Sequence, residues 1–176
     1  MILCGVDVLI LVLRLLHIVS GAFWVGSIVM AVLFIEPTAK ALGASGERFL
    51  AHAIFRTGLA PILVGAATLA IGTGAALYWI VSGGLRIEWI TSSTGLGFTA
   101  GALAALAAYA IALIVLGPQF DRLAALLDTP PASEVEAPSP DGKSKLNEAR
   151  LRRWSLIEVS LLLFALAAMA TARYLR

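Results

Sequence analysis

The sequence holds a single cysteine, Cys4, and two histidines, His17 and His52. One thiol excludes an intrachain disulfide and any metal site built from clustered thiolates. Charge is scarce too: 14% of the 176 residues are Asp, Glu, Lys or Arg, and the net charge is +2. That balance gives no reason to expect a nucleic-acid partner. There is no nucleophile–base pair, no paired carboxylates and no phosphate-cradling loop. Gly95 and Gly97 open an apolar run without the strand that a dinucleotide fingerprint needs. Catalysis by this chain alone is therefore not expected.

What is abundant is apolar surface. Hydrophobic residues make up 60% of the chain and the mean hydropathy is +0.92, outside the range of soluble domains. A helix crosses the hydrocarbon core with about 20 apolar residues, and four such stretches are present. They run over about 6–35, 57–81, 93–116 and 154–174. The first is expected to stop at Glu36-Pro37, because a proline disfavours helix in the residue before it. The third ends at Gly117-Pro118. The alternation of a membrane β-strand is absent, and helices satisfy their own backbone in lipid. The expectation is an all-α membrane protein, a bundle of four transmembrane helices forming one domain. The N-terminus lacks the basic start and small-residue cleavage site of a secretory signal, so it is read as part of the first span.

Basic residues set the expected orientation. Lys40, Arg48 and Arg56 lie in the first connection. Arg122, Lys143, Lys145, Arg150, Arg152 and Arg153 lie in the third. Arg14, Arg86, Arg173 and Arg176 lie at the opposite side. Nine against four places the first and third connections in the cytoplasm and gives an up-down topology with both termini outside. Residues 46–56, GERFLAHAIFR, put Phe49, Leu50, Ala53 and Ile54 on one helical face and read as an interfacial amphipathic turn or two. Residues 129–142, rich in proline, serine and acids, read as a flexible cytoplasmic linker. Ser144 is placed to cap the helix that continues into the fourth span.

Lipid offers no hydrophobic drive for helix association, so small residues are expected at the helix interfaces. Gly65 and Gly72 lie on one stripe of the second span, with Thr68 and Leu69 between them. Gly97 and Gly101 form a GxxxG step in the third. On the first, Ser20, Gly21, Trp24 and Ser27 continue the stripe occupied by Arg14 and His17.

Along that stripe His17, Trp24, Val25 and Gly26 form H-x6-W-V-G, preceded by Leu15-Leu16 and followed by an apolar run ending at Pro37. This resembles the first helix of bacterial membrane proteins related to copper-resistance protein D. Arg56-Thr57-Gly58-Leu59 and Thr73-Gly74 look like the next span of a small, uncharacterised four-helix branch. The resemblance implies a multi-pass protein of the bacterial cytoplasmic (inner) membrane. It also implies copper handling or haem binding in relatives, with His17 as the position carried over.

Ionisable side chains inside a span mark a partner, a cavity or a site. His17 has two readings: ligand to haem b or copper, with Arg14 and Trp24 beside the cofactor, or a hydrogen bond inside the bundle. From His17 to Ile35 is about 27 Å at about 1.5 Å per residue, so His52 lies across the membrane and bis-histidine ligation within the chain is not expected. Arg14 reads as a counter-ion or as a side chain snorkelling to the interface. Glu36 and Glu158 belong to the cytoplasmic end, with Arg56, Arg152 and Arg153 within reach, and a helix-pinning ion pair is expected there, Glu158 with Arg56. The second and third spans carry no ionisable relay. Three classes of function stand: a structural or accessory subunit packing within a larger membrane assembly or with itself, a haem- or metal-binding membrane protein, and a small-molecule transporter. The first accounts for the small-residue stripes and the missing chemistry, with the lipid bilayer and other membrane subunits as partners and no cofactor.

Overall fold

The computed structural model describes the backbone of residues 2–118 and 142–175 and the side chains of 8–118 and 147–175. Most of the expected linker, 129–141, lies outside the described residues.

Among the described residues there is no strand. Four helices are long and apolar enough to cross a membrane: Val8–Ala41, Leu59–Val81, Ser93–Leu116 and Asn147–Ala172. The elements are α1 (Ile2–Met30), α2 (Glu36–Ala41), α3 (Ala44–Ala51), α4 (Leu59–Val81), α5 (Ile87–Ile90), α6 (Ser93–Ile111) and α7 (Gly142–Ala172). Gly142 already lies in α7, so Ser144 stands within that helix.

The first span does not stop at Pro37. A π-helical turn, Ala31–Ile35, joins α1 to α2 without a break. A proline inside an α-helix clashes with the carbonyl four residues back and lacks an N–H. Here the Glu36 N–H reaches back five residues to the Ala31 carbonyl, and the wider turn makes room for the ring. A second π turn, Ala112–Leu116, precedes Pro118 at the end of α6. A third, His52–Arg56, leads from α3 to Gly58, whose left-handed conformation precedes α4. All three lie at one end of the bundle, called here the proline end.

At this end α2 and α3 form a tight helical hairpin. Gly43 turns the chain at φ 61°, and Gly46 packs on the Ala39 backbone where no Cβ fits. At the opposite end the Ser92 hydroxyl accepts the Gly95 N–H and caps α6. There the Thr94 hydroxyl also donates to the Leu175 carbonyl at 3.0 Å, tying α6 to the end of α7.

The size distribution is that of a lipid-facing bundle. Leu11, Ile18, Leu103 and Ile114 point outward, and the buried positions are mostly alanine: Ala67, Ala70, Ala104, Ala108, Ala165 and Ala172. Small residues let backbones approach, which is what holds helices together where lipid is as apolar as leucine. The helices pack chiefly as two pairs, α1 with α4 and α6 with α7. Trp24, Ala67, Ala70, Ala108 and Leu162 join the pairs in one core.

Two hydroxyl bridges fix the register between α4 and α6. Thr68 donates to the Val64 carbonyl, so Tyr109 is the donor in its 2.8 Å bond to the Thr68 hydroxyl. Thr99 likewise donates to the Gly95 carbonyl, so Tyr78 donates to the Thr99 hydroxyl at 2.6 Å. The residue pairs 68/109 and 78/99 run in opposite order along the two helices. The Tyr109 ring also meets Trp24 edge-on at 6.0 Å, which brings α1 to the same point.

Candidate functional site

Two places in the bundle hold ionisable side chains. The first is His17, about two turns before Trp24 on α1. Its Nδ1 lies 2.8 Å from the Ala70 carbonyl on α4. A carbonyl only accepts, so Nδ1 carries the hydrogen, and in the neutral imidazole Nε2 keeps its lone pair. The Cε1–Nδ1 edge of the ring lies against Gly74: a Cβ there would stand 2.8 Å from Cε1 and 3.0 Å from Nδ1. The partner is thus on the neighbouring helix. Ser20 is bonded instead to the Leu16 carbonyl at 2.6 Å. Gly21 continues the same interface: a Cβ there would stand 4.0 Å from Ala70 Cβ. Arg14, one turn before His17, is exposed, and no acid pairs with it among the described residues.

Trp24 is 4% exposed and packs in the central core, so its ring is not open to a cofactor. Ala70 and Gly74, which hold His17, carry no chemistry of their own in the sequence. Their only signal was the small-residue spacing on α4.

The second place is the proline end of α7. Glu158 is 1% exposed, and its Oε1 has no hydrogen-bond partner among the described residues. Arg56 is exposed and does not pair with it, which corrects the expected Glu158–Arg56 ion pair. The carboxylate that pairs is Glu36, 2.7 Å from Lys40 and 3.9 Å from Arg152. Arg152 has a further task. In the π turn the carbonyl paired with residue 37 would be that of Val32, and Pro37 has no N–H to give it. The Arg152 guanidinium donates to the Val32 carbonyl from α7 at 3.2 Å. Ser155, one turn before Glu158, is buried as well.

The glycines divide. Gly97 packs on α7 so closely that a Cβ would meet Ala172 Cβ at 2.9 Å, and one at Gly101 would meet Met169 Cγ at 2.9 Å. Gly65 and Gly72 do the opposite. Both face outward, and a Cβ on either would meet nothing within 4 Å. The expectation that they pack inside the bundle is corrected: Ala67, Ala70, Thr73 and Gly74 form the inward seam of α4. Gly65, Thr68 and Gly72, with Leu13 and Leu69, instead line an open groove of about 550 Å³.

No group of three or more His, Cys, Asp or Glu side chains converges among the described residues. No family model, no curated protein and no solved structure matches the chain.

Proposed function

We propose that this chain is a non-catalytic integral membrane protein, a structural or accessory subunit that packs with other membrane subunits or with further copies of itself. One observation supports this reading above the others. The α4 helix has two seams of small residues; the bundle packs on one, and on the other Gly65 and Gly72 are left without a neighbour. In lipid, helices meet where large side chains are missing and backbones can approach. An open groove floored by Gly65 and Gly72 is a surface of that kind, and the Thr68 hydroxyl in it is already bonded to Val64 and Tyr109. The setting we propose is the bacterial cytoplasmic membrane, in an up-down topology with both termini outside and the proline end in the cytoplasm. The basic-residue asymmetry supports that orientation. The resemblance to proteins related to copper-resistance protein D supports the setting.

The test is Gly65→Leu combined with Gly72→Leu. A Cβ at either position meets nothing within 4 Å, so the melting temperature of the isolated protein in detergent should not fall. The particle mass extracted from native membranes into nanodiscs should fall to that of the single chain. A parent already of single-chain mass, or a variant that keeps the larger mass, overturns the reading.

A second reading rests on the imidazole. An Nδ1–H donated to a backbone carbonyl with Nε2 left free is how metal- and haem-ligating histidines are commonly oriented. For copper, no group of three His, Cys, Asp or Glu gathers around His17 among the described residues. They would offer haem b one nitrogen ligand, Nε2 of His17, with Arg14 one turn away to balance an acidic group. When bound, haem would supply redox chemistry; the contribution of this chain is the oriented His17 ring.

A further inference from the structure

The proline end of α7 carries a surface that neither the bundle nor the groove on α4 uses. Arg152 and Arg153 stand there beside Leu156, Ile157, Ser160 and Leu161, around an open groove of about 530 Å³. These positions recur at spacings of three and four, so they form one stripe of the helix. From Arg153 to Leu161 the stripe runs about 12 Å along the axis. It lies within the apolar helix Asn147–Ala172, near the end where that helix carries its arginines. The two guanidinium groups therefore lie toward headgroup depth and the leucine and isoleucine side chains toward acyl depth. The Ser160 hydroxyl donates to the Leu156 carbonyl at 2.8 Å, so its hydrogen is not offered to the groove.

The charge at the head of the stripe is unbalanced. Glu36 faces both Lys40 and Arg152. Glu148, a turn before Arg152, has a partner of its own. Arg153 is exposed and makes no ion pair or hydrogen bond among the described residues. Arg152 keeps most of its five N–H donors while one is held by the Val32 carbonyl.

We infer that this groove binds an anionic phospholipid, with its phosphate between Arg152 and Arg153 and one acyl chain along Leu156, Ile157 and Leu161. Guanidinium groups match phosphate oxygens bidentately. A free phosphate would use the arginines and leave the apolar floor bare. A zwitterionic lipid would bring its own cation to a site already in excess of positive charge. Basic pockets beside membrane helices are known to select anionic headgroups in this way.

The full chain in detergent, with phosphatidylglycerol, phosphatidylcholine of the same acyl chains or sodium phosphate added, provides the test by native mass spectrometry and thermal melting. Phosphatidylglycerol should stay bound and raise the melting temperature. Phosphatidylcholine should bind about tenfold more weakly, and sodium phosphate at the same concentration should change nothing. Arg153→Gln should weaken phosphatidylglycerol about fivefold, the effect of one basic residue near an anionic surface. Because Arg153 holds nothing in the fold, the lipid-free melting temperature should be that of the parent. Ile157→Trp should displace the lipid by filling the floor with the charges intact. Equal binding of the two lipids, or undiminished binding by both variants, overturns the inference. Protection by sodium phosphate equal to that by phosphatidylglycerol also overturns it and leaves an anion site without a lipid. None of these readouts depends on the α4 groove, which lies on a different helix.

Discussion

Glycine to alanine is the smallest change that adds a side chain, and this bundle should answer it with opposite signs at two positions. Gly72 faces outward with nothing within 4 Å of a Cβ. Alanine there only removes the conformational cost of a helical glycine, so Gly72→Ala should stabilise the isolated protein by about 0.5–1 kcal/mol. Gly97→Ala gains the same term and loses more. Its Cβ would stand 2.9 Å from Ala172 Cβ and 3.1 Å from Ala172 Cα. Unstrained carbon contacts lie at about 3.5–4.0 Å. The obstruction is backbone and a methyl group fixed to it, so no rotamer change relieves it and α6 must move away from α7. Overpacking of this kind costs about 1–3 kcal/mol. Net of the helix gain, Gly97→Ala should destabilise by up to about 2 kcal/mol.

The assay is reversible unfolding in mixed micelles, followed by circular dichroism for the parent and both variants. A double-mutant cycle isolates the contact. Ala172→Gly alone should cost less than the interior value of about 1 kcal/mol, because Ala172 is the last residue of α7. In the Gly97→Ala background it should cost less or nothing, because the methyl group that clashes is gone. The reasoning is refuted if Gly97→Ala is as stable as Gly72→Ala, or if the two changes are additive.

The two polar places make their own predictions. Glu158→Met keeps the length of the side chain and removes the buried Oε1 that has no partner; an unsatisfied buried polar group costs about 1–3 kcal/mol, so the variant should melt higher, and a lower melting temperature would reveal a partner for the carboxyl in the folded protein. His17→Ala breaks the bond to Ala70 and empties the space against Gly74, so stability in micelles should fall by about 1–2 kcal/mol. The absorption spectrum of the parent decides the second reading of that residue: a Soret band that His17→Ala abolishes supports haem, and a parent without one removes it.

The lengths of the spans were legible from sequence because length and apolarity are what a bilayer demands. The expected 57–81 and 93–116 are close to Leu59–Val81 and Ser93–Leu116. Which face of each helix turns inward was not legible. In a soluble helix the apolar stripe contrasts with a polar one, but here interior and lipid are both apolar and the period of 3.6 residues has nothing to contrast. The seam of Gly65, Thr68 and Gly72 and the seam of Ala67, Ala70 and Gly74 have the same spacing and similar composition. They are offset by two residues, about 200° around the helix, so they lie on opposite sides. Only the position of α1 decides between them. Gly97 and Gly101 are the one pair of glycines four residues apart in α6, and both meet α7.

The ion pair was misplaced for a related reason, and the physical chain behind it runs through one proline. Glu36 and Glu158 share one end of the bundle, and sequence alone gives that end several arginines without giving their depth. The expectation that Pro37 ends the first helix leaves the carbonyls before it in a loop, where water can reach them. The helix instead continues through a π turn to Ala41, and the Val32 carbonyl is left in helical surroundings without a backbone donor. An unpaired carbonyl in that setting is costly. Arg152 supplies the missing bond, and so its guanidinium is drawn to α1, where Glu36 is its nearest carboxylate. Glu158 lies about 9 Å further along α7, on the face that meets the core, too deep for a side chain anchored at Val32. The proline thus fixes the arginine, the arginine selects the acid at the surface, and the acid in the interior is left with an oxygen that no described residue satisfies.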